Sequence, residues 1–169
     1  RKAGAPVKWV EDRLEHLTAA TSATGRLCHA AAAVEADGRI TALSLDQFDD
    51  CGGYLRAPEP ATFYRMHGCL TGAYAIANLS VRNRVVLTSK TPTGLVRGFG
   101  GPQVYFALER LVQRIAVELN LDPLDVYRRN FIPRDAFPYR AAAGALIDSG
   151  DYQQALELAL REGGFDELR

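Results

Sequence analysis

The chain has 169 residues, and its 20 basic side chains are balanced by 20 acidic ones. That neutrality excludes nucleic acid and anionic membrane as principal partners. A hydrophobic content of 47% excludes disorder and supplies a core, and no apolar run approaches the ~18 residues of a membrane-spanning helix. Residues 6–11 (Pro-Val-Lys-Trp-Val-Glu) alternate apolar and polar, the pattern of a half-buried strand. A charged stretch over 11–17 follows, helical or irregular. Residues 26–35 form the next strand, and Asp37-Gly38 supplies the positive φ angles of a tight hairpin turn. Residues 40–49 return as the partner strand. Both faces of that strand carry apolar groups, which predicts a hairpin covered on both sides. Cys51-Gly52-Gly53-Tyr54 reads as a flexible bend.

Residues 60–74 read as a helix opened by prolines, with Arg65, Cys69 and Gly72 at helical spacing. Residues 74–79 and 84–90 look extended. A glycine-rich loop follows, and residues 104–119 then form an amphipathic helix. Its apolar stripe is Val104, Leu108, Leu111, Ile115 and Leu119, with Arg110, Gln113, Arg114 and Glu118 facing away. Asp122 and Pro123 have the types of an N-cap and a first-turn residue for a short helix over 123–130. Residues 132–144 read as a long loop, and a last helix over 152–160 is capped by Ser149 or Asp151 and stopped by Gly163-Gly164.

Strands precede helices, which gives an α+β class: antiparallel strands including a hairpin, then several helices. The chain reads as a single partial domain, with a strand and hairpin part over 1–56 and a mainly helical part over 57–169. The start, Arg1-Lys2-Ala3-Gly4-Ala5-Pro6, has no apolar h-region, so it is no signal peptide and reads as a chain cut from inside a longer protein. Cys28, Cys51 and Cys69 are odd in number and have no close pair. They read as reduced thiols of a cytoplasmic protein, neither a disulfide framework nor a zinc site. His16, His29 and His67 lack metal-ligand spacing, and no metal site is expected within the chain.

The segment Arg97-Gly98-Phe99-Gly100-Gly101-Pro102-Gln103 carries the chemistry. Glycine allows backbone to approach a ligand, proline suits the first helical turn, and the open N–H groups of that turn suit an anion. Arg97 adds a fixed positive charge and Phe99 an aromatic wall. The loop is neither a dinucleotide fingerprint nor a Walker loop. On spacing alone, a tight turn before a helix and a ligand cradle are equal readings. Arg65 is either a surface or paired arginine, or a charge that stabilises a substrate anion. Asp46, Asp49 and Asp50 read as a solvated strand end, Glu109 and Glu118 as helix surface, and Arg128-Arg129 as a solvated face. Nothing near Cys69 lowers its pKa, so it is no nucleophile.

The run from Thr93 to Gln103 resembles the active-site loop of the molybdenum hydroxylases, the family of xanthine dehydrogenase, aldehyde oxidase and carbon monoxide dehydrogenase-like large subunits. The resemblance extends through Pro6-Val7-Lys8-Trp9-Val10-Glu11-Asp12-Arg13, the Asp37-Gly38 hairpin, Leu121 to Phe131, and Asp148-Ser149-Gly150-Asp151-Tyr152. It implies part of a larger molybdopterin-binding domain. The implied cofactor is molybdenum on a pyranopterin dithiolene, which hydroxylates substrate C–H with water-derived oxygen. Electrons leave through iron–sulfur clusters, with these and FAD on other domains or subunits. The implied partners are the remaining parts of the large subunit, the iron–sulfur and FAD subunits or domains, and a small-molecule aldehyde or N-heterocycle. By the same resemblance Arg97, Gly98 and Gly100 lie at the cofactor, Phe99 stacks on substrate, and Arg65 orients it.

Two positions depart from the pattern. Carbon monoxide oxidisers resembling this chain carry a copper-ligating cysteine directly after the motif's arginine, where Gly98 stands. The residue before the arginine is commonly aromatic in the family and is Val96 here. The family's upstream Gly-Gly-Gly-Phe-Gly loop, its Gly-Glu-Pro segment with the general-base glutamate, and its iron–sulfur cysteines do not occur in these residues. No catalytic residue is therefore expected within the chain, and turnover by the chain alone is not expected. A stand-alone, non-catalytic ligand-binding or interaction domain on the same scaffold is the alternative.

Overall fold

A hairpin supports the rest of the fold. In the computed structural model, which describes residues 2–23, 25–57, 67–98 and 100–168, strand β1 (Gly25–Val34) pairs antiparallel with β2 (Ile40–Asp50). The turn closes where expected, with Glu35 N–H donating to the Arg39 carbonyl and Gly38 N–H to that of Glu35. Strand β3 (Asn78–Val86) adds to the far side of β2 in parallel, so the sheet is mixed where sequence alone predicted only antiparallel pairing. A parallel partner requires a crossover, and residues 51–77 supply it. The predicted extended runs over 74–79 and 84–90 resolve into this one strand, followed by residues 87–92 without regular structure.

Helix α1 (Arg13–Ala19) is closed by a capping box between Asp12 and Glu15. Helix α2 (Gly101–Leu119) lies across the sheet and α3 (Pro123–Asn130) follows it, with the Asp122 carboxylate accepting from Leu124 N–H as its cap. The buried stripe of α2 is Val104, Leu108, Val112 and Ile115. Val112 belongs to it, whereas Leu111 is only partly buried and Leu119 is exposed: the three-residue step of the buried stripe falls after Val112, one turn later than expected. These side chains meet Ile40, Leu43 and Leu45 of β2, with Leu70, Tyr74, Ile76 and Val126, in one core. A short strand, β4 (Tyr139–Arg140), breaks the expected loop over 132–144 and pairs with β5 (Leu146–Ile147) just beyond it. Helices α4 (Tyr152–Glu162) and α5 (Phe165–Leu168) end the chain, and the α4 cap is Asp151 rather than Ser149.

Several expectations are corrected. Residues 6–11 form no strand, and Val7, Trp9 and Val10 are exposed, Trp9 to 75%. Alternation makes a strand only where a neighbour can accept its hydrogen bonds, and no described residue does so. The hairpin is not covered on both sides: β1 buries Cys28, Ala30, Ala32 and Val34 partly against the core and leaves Leu27 outside. The described end of the expected 60–74 helix is a three-residue 3-10 turn, His67–Cys69, followed by turns. The three aspartates are not a solvated strand end. The Asp49 carboxylate is fully buried and accepts two hydrogen bonds from Arg26, at 2.6 and 2.9 Å, Asp46 pairs with Arg84, and Asp50 is a hydrogen-bonded hub. Glu109 is no free surface acid either, because the buried Tyr74 hydroxyl donates to it at 2.9 Å. The Cys51–Tyr54 bend is held rather than flexible, with Cys51 and Gly52 buried and bonded to the segment after β3.

Candidate functional site

The glycine loop rises from a fixed base. Cys51 N–H donates to the Val86 carbonyl, Gly53 N–H to that of Lys90 and Thr93 N–H to that of Cys51. Gly94 N–H donates to the Ser22 carbonyl, so residues 93–94 are pinned on two sides. Beyond this base the chain turns outward, and Leu95, Val96, Arg97 and Gly98 are all exposed. It returns at Gly100, which caps α2 with φ 83° and no side-chain hydrogen bond. Gly98 has φ 101°, and a Cβ there would lie 2.6 Å from the Pro102 ring. Only glycine lets the chain turn onto a proline-opened helix in this way.

Arg97, Gly98 and Gly100 are therefore brought to a single turn at the N-terminus of a 19-residue helix. Arg97 is exposed and makes no ion pair among the described residues. The loop's polarity comes from backbone and from this guanidinium, which is the arrangement that suits an anionic ligand. Thr93 Oγ1, at the base, is buried without a hydrogen-bond partner. Phe99 and Arg65 lie outside the described residues.

The core turns polar toward the loop end of the sheet. Gln47, 1% exposed, stands between Cys28 on β1 and Asn83 on β3, and neither amide atom finds a well-aligned hydrogen bond. Next along the strand comes the Arg26–Asp49 pair. A groove of about 740 Å³ opens there between β1 and the first turns of α2, lined by Arg26, Cys28, Pro102, Gln103 and Phe106 among others. Burial pushes the Cys28 thiol above its usual range, against the pull of Arg26. It stays protonated and is no nucleophile.

Sequence reasoning missed Asp50. Its Oδ1 accepts from Gly52 N–H at 3.0 Å and from the Thr88 hydroxyl at 2.5 Å, while Oδ2 meets Lys90 Nζ at 2.6 Å. Lys90 foremost, then Thr88 and the Gly52 N–H, pull its carboxyl down to about 2. The available signal was Asp50 two residues before Gly52, an Asx-turn spacing.

Comparison with known proteins gives a consistent result. The family described as molybdopterin cofactor-binding domain matches residues 1–131. The chain is 30% identical, over 99% of its length and 22% of the relative's, to the 6-hydroxypseudooxynicotine dehydrogenase complex subunit gamma of Paenarthrobacter nicotinovorans. It is 33% identical to the carbon monoxide dehydrogenase large chain of Hydrogenophaga pseudoflava, over 93% of this chain and 20% of that one. Among solved structures, quinoline 2-oxidoreductase from Pseudomonas putida 86 superposes with a TM-score of 0.89 at 30% identity, over 99% of this chain and 22% of that one. The chain thus spans about a fifth of the length of these relatives.

Proposed function

The chain belongs to the molybdopterin cofactor-binding domain family, and from that premise we propose that it supplies the cofactor- and substrate-facing loop of a molybdenum-dependent oxidoreductase acting on aldehydes or N-heterocycles. The observation that carries this reading is the turn at Arg97–Gly98–Gly100, exposed at Arg97 and Gly98 and buried at Gly100, which opens a helix inside a stretch matching the family. The residues present fit the group. A glycine-capped helix N-terminus, an exposed guanidinium without an acidic partner among the described residues, and a buried Thr93 hydroxyl with spare bonding capacity suit an anionic, hydrogen-bonding pterin. When bound, the molybdenum–pterin group supplies two-electron redox chemistry at the substrate carbon.

This chain's own residues bind and orient. Arg97, Gly98 and Gly100 hold the cofactor through backbone and charge, and Phe99 and Arg65 position substrate. N-heterocycles are favoured by the names of the quinoline and nicotine-derivative relatives. Gly98, standing where carbon monoxide oxidisers carry cysteine, disfavours carbon monoxide. No helix among the described residues is long and apolar enough to cross a membrane, and a cytoplasmic complex with iron–sulfur and FAD partners completes the reading.

The test is molybdenum and pterin content, with substrate-dependent dye reduction, measured on the full-length protein carrying these residues and on the 169-residue chain. Stoichiometric molybdenum and turnover of an aldehyde or N-heterocycle are expected of the first and no turnover of the second. A full-length protein free of molybdenum and pterin would remove the reading.

A further inference from the structure

We propose that Asp50 is the positioning residue of the glycine loop, the group that sets where residues 94–98 meet the cofactor. The inference deepens the function proposed above and rests on it for the identity of the ligand. Asp50 ends β2, and its partners among the described residues are Gly52, Thr88 and Lys90, outside both residues 95–98 and the groove beside α2. It acts through the segment that carries the loop.

The Oδ1 atom gathers Gly52 N–H and the Thr88 hydroxyl, and Oδ2 engages Lys90, so one carboxylate holds the bend after β2 and the exit from β3 together. Around it the two segments exchange backbone bonds: Thr88 N–H donates to the Gly52 carbonyl, Gly53 N–H to that of Lys90, and Thr93 N–H to that of Cys51. The two segments cross in close contact. A Cβ on Gly52 would lie 2.4 Å from the Thr91 carbonyl oxygen and 2.8 Å from the Pro92 Cα. The close crossing fixes the direction in which residues 91–93 leave, and Asp50 holds Gly52 in place beneath them.

The two oxygens divide the work in a way that substitutions can separate. Asp50→Asn keeps an acceptor for Gly52 and Thr88 but loses the ion pair, Lys90→Met removes only the ion pair, and Asp50→Ala removes all three contacts. The Lys90 side chain is 73% exposed, and an ion pair that open to solvent is screened. The two hydrogen bonds on Oδ1 are the ones that matter.

The experiment is hydrogen–deuterium exchange over residues 87–98 in the full-length protein carrying this chain, together with molybdenum per polypeptide. Asp50→Ala is expected to speed exchange there on the order of tenfold, as loss of several local hydrogen bonds does, without changing exchange in β1 or α2. Molybdenum content should fall with it, while Asp50→Asn and Lys90→Met stay near wild type on both counts. Thr88→Val, which removes one arm, should give an intermediate effect if Asp50→Ala fails to accumulate. Unchanged exchange, acceleration spread over the whole fold, or a loosened segment with full molybdenum each overturns the proposal. If the wild-type protein carries no molybdenum, the functional reading fails by itself and the exchange measurement still decides whether Asp50 holds the loop.

Discussion

The core formed by β2, α2 and α3 and the loop with the N-terminal arm are built on opposite terms. In the core, Asn130 and Tyr74 are answered within the chain, while the amide of Gln47 is not. Asn130, 3% exposed, accepts from Ile40 N–H at 2.8 Å and donates to the carbonyls of Gly38 and Val126 at 2.9 and 2.8 Å, clipping the hairpin turn to α3. Tyr74 stacks on Phe131 and Tyr127 and donates to Glu109. Burial, reinforced by the charge of Glu109, drives its hydroxyl far above the usual range, so it remains a donor at any ordinary pH. In the loop and arm, Leu95, Val96, Arg97, Val7, Trp9 and Val10 meet solvent. Asn130 and Tyr74 find their partners inside the core, and the loop and arm residues face solvent.

The contrast is broken most severely at Leu108. Its side chain is fully buried at the centre of the α2 stripe, and Leu108→Ala is expected to cost about 3 kcal/mol in denaturant unfolding through lost transfer energy and a residual cavity. A loss under about 1 kcal/mol would mean the site collapses and the core is loosely packed. Asn130→Ala comes next, at about 2 kcal/mol, because it strands buried backbone donors and acceptors on both the turn and the helix. Its signature is selective: exchange should rise at Gly38–Ile40 before it rises in β3.

Legibility in the sequence follows the same division. The hairpin, α2 and α3 were readable because periodicity and caps are local, and their partners lie within the chain: Gly38 turns the hairpin at φ 87°, although Asp37 beside it does not take the positive φ expected of the pair, and Asp122 caps as its position dictates. The arm over 6–11 carried a strand's alternation without a strand's neighbour. The parallel pairing of β3 was invisible because register between strands 30 or more residues apart is a tertiary fact. At the site, the loop's glycines and proline indicated a turn before a helix by type alone. Gln47, Asp50 and Asn130 did not, since their roles depend on what lies opposite them.

A smaller effect sharpens the comparison at the junction of the two regions. The Asp50 carboxyl is lowered from 3.8 to about 2, first by Lys90 and then by Thr88 and Gly52. A group depressed in the folded state stabilises above its unfolded pKa and loses that contribution as pH falls through the folded value. The stability difference between wild type and Asp50→Asn, small because the Lys90 pair is screened by solvent, should therefore be constant at neutral pH and shrink as pH falls from about 4 towards about 2. A difference that instead persists unchanged to pH 2 would show that charge on Asp50 contributes nothing.

The smallest effects belong to the open region. Trp9 keeps 75% of its surface in solvent and packs on no part of the core, so Trp9→Ser should change the unfolding free energy of the 169-residue chain by no more than ~0.5 kcal/mol, as surface substitutions do. The same substitution in the full-length protein is the informative half of the pair. A tryptophan that stays exposed gives the same small value there. One covered by another part of the molecule costs several times more, since burying a large aromatic ring removes on the order of 150–250 Å² from water. Equal values would make the arm an exposed tether, and a larger cost in the longer protein would make it a strand whose neighbour lies elsewhere, as its alternation first indicated.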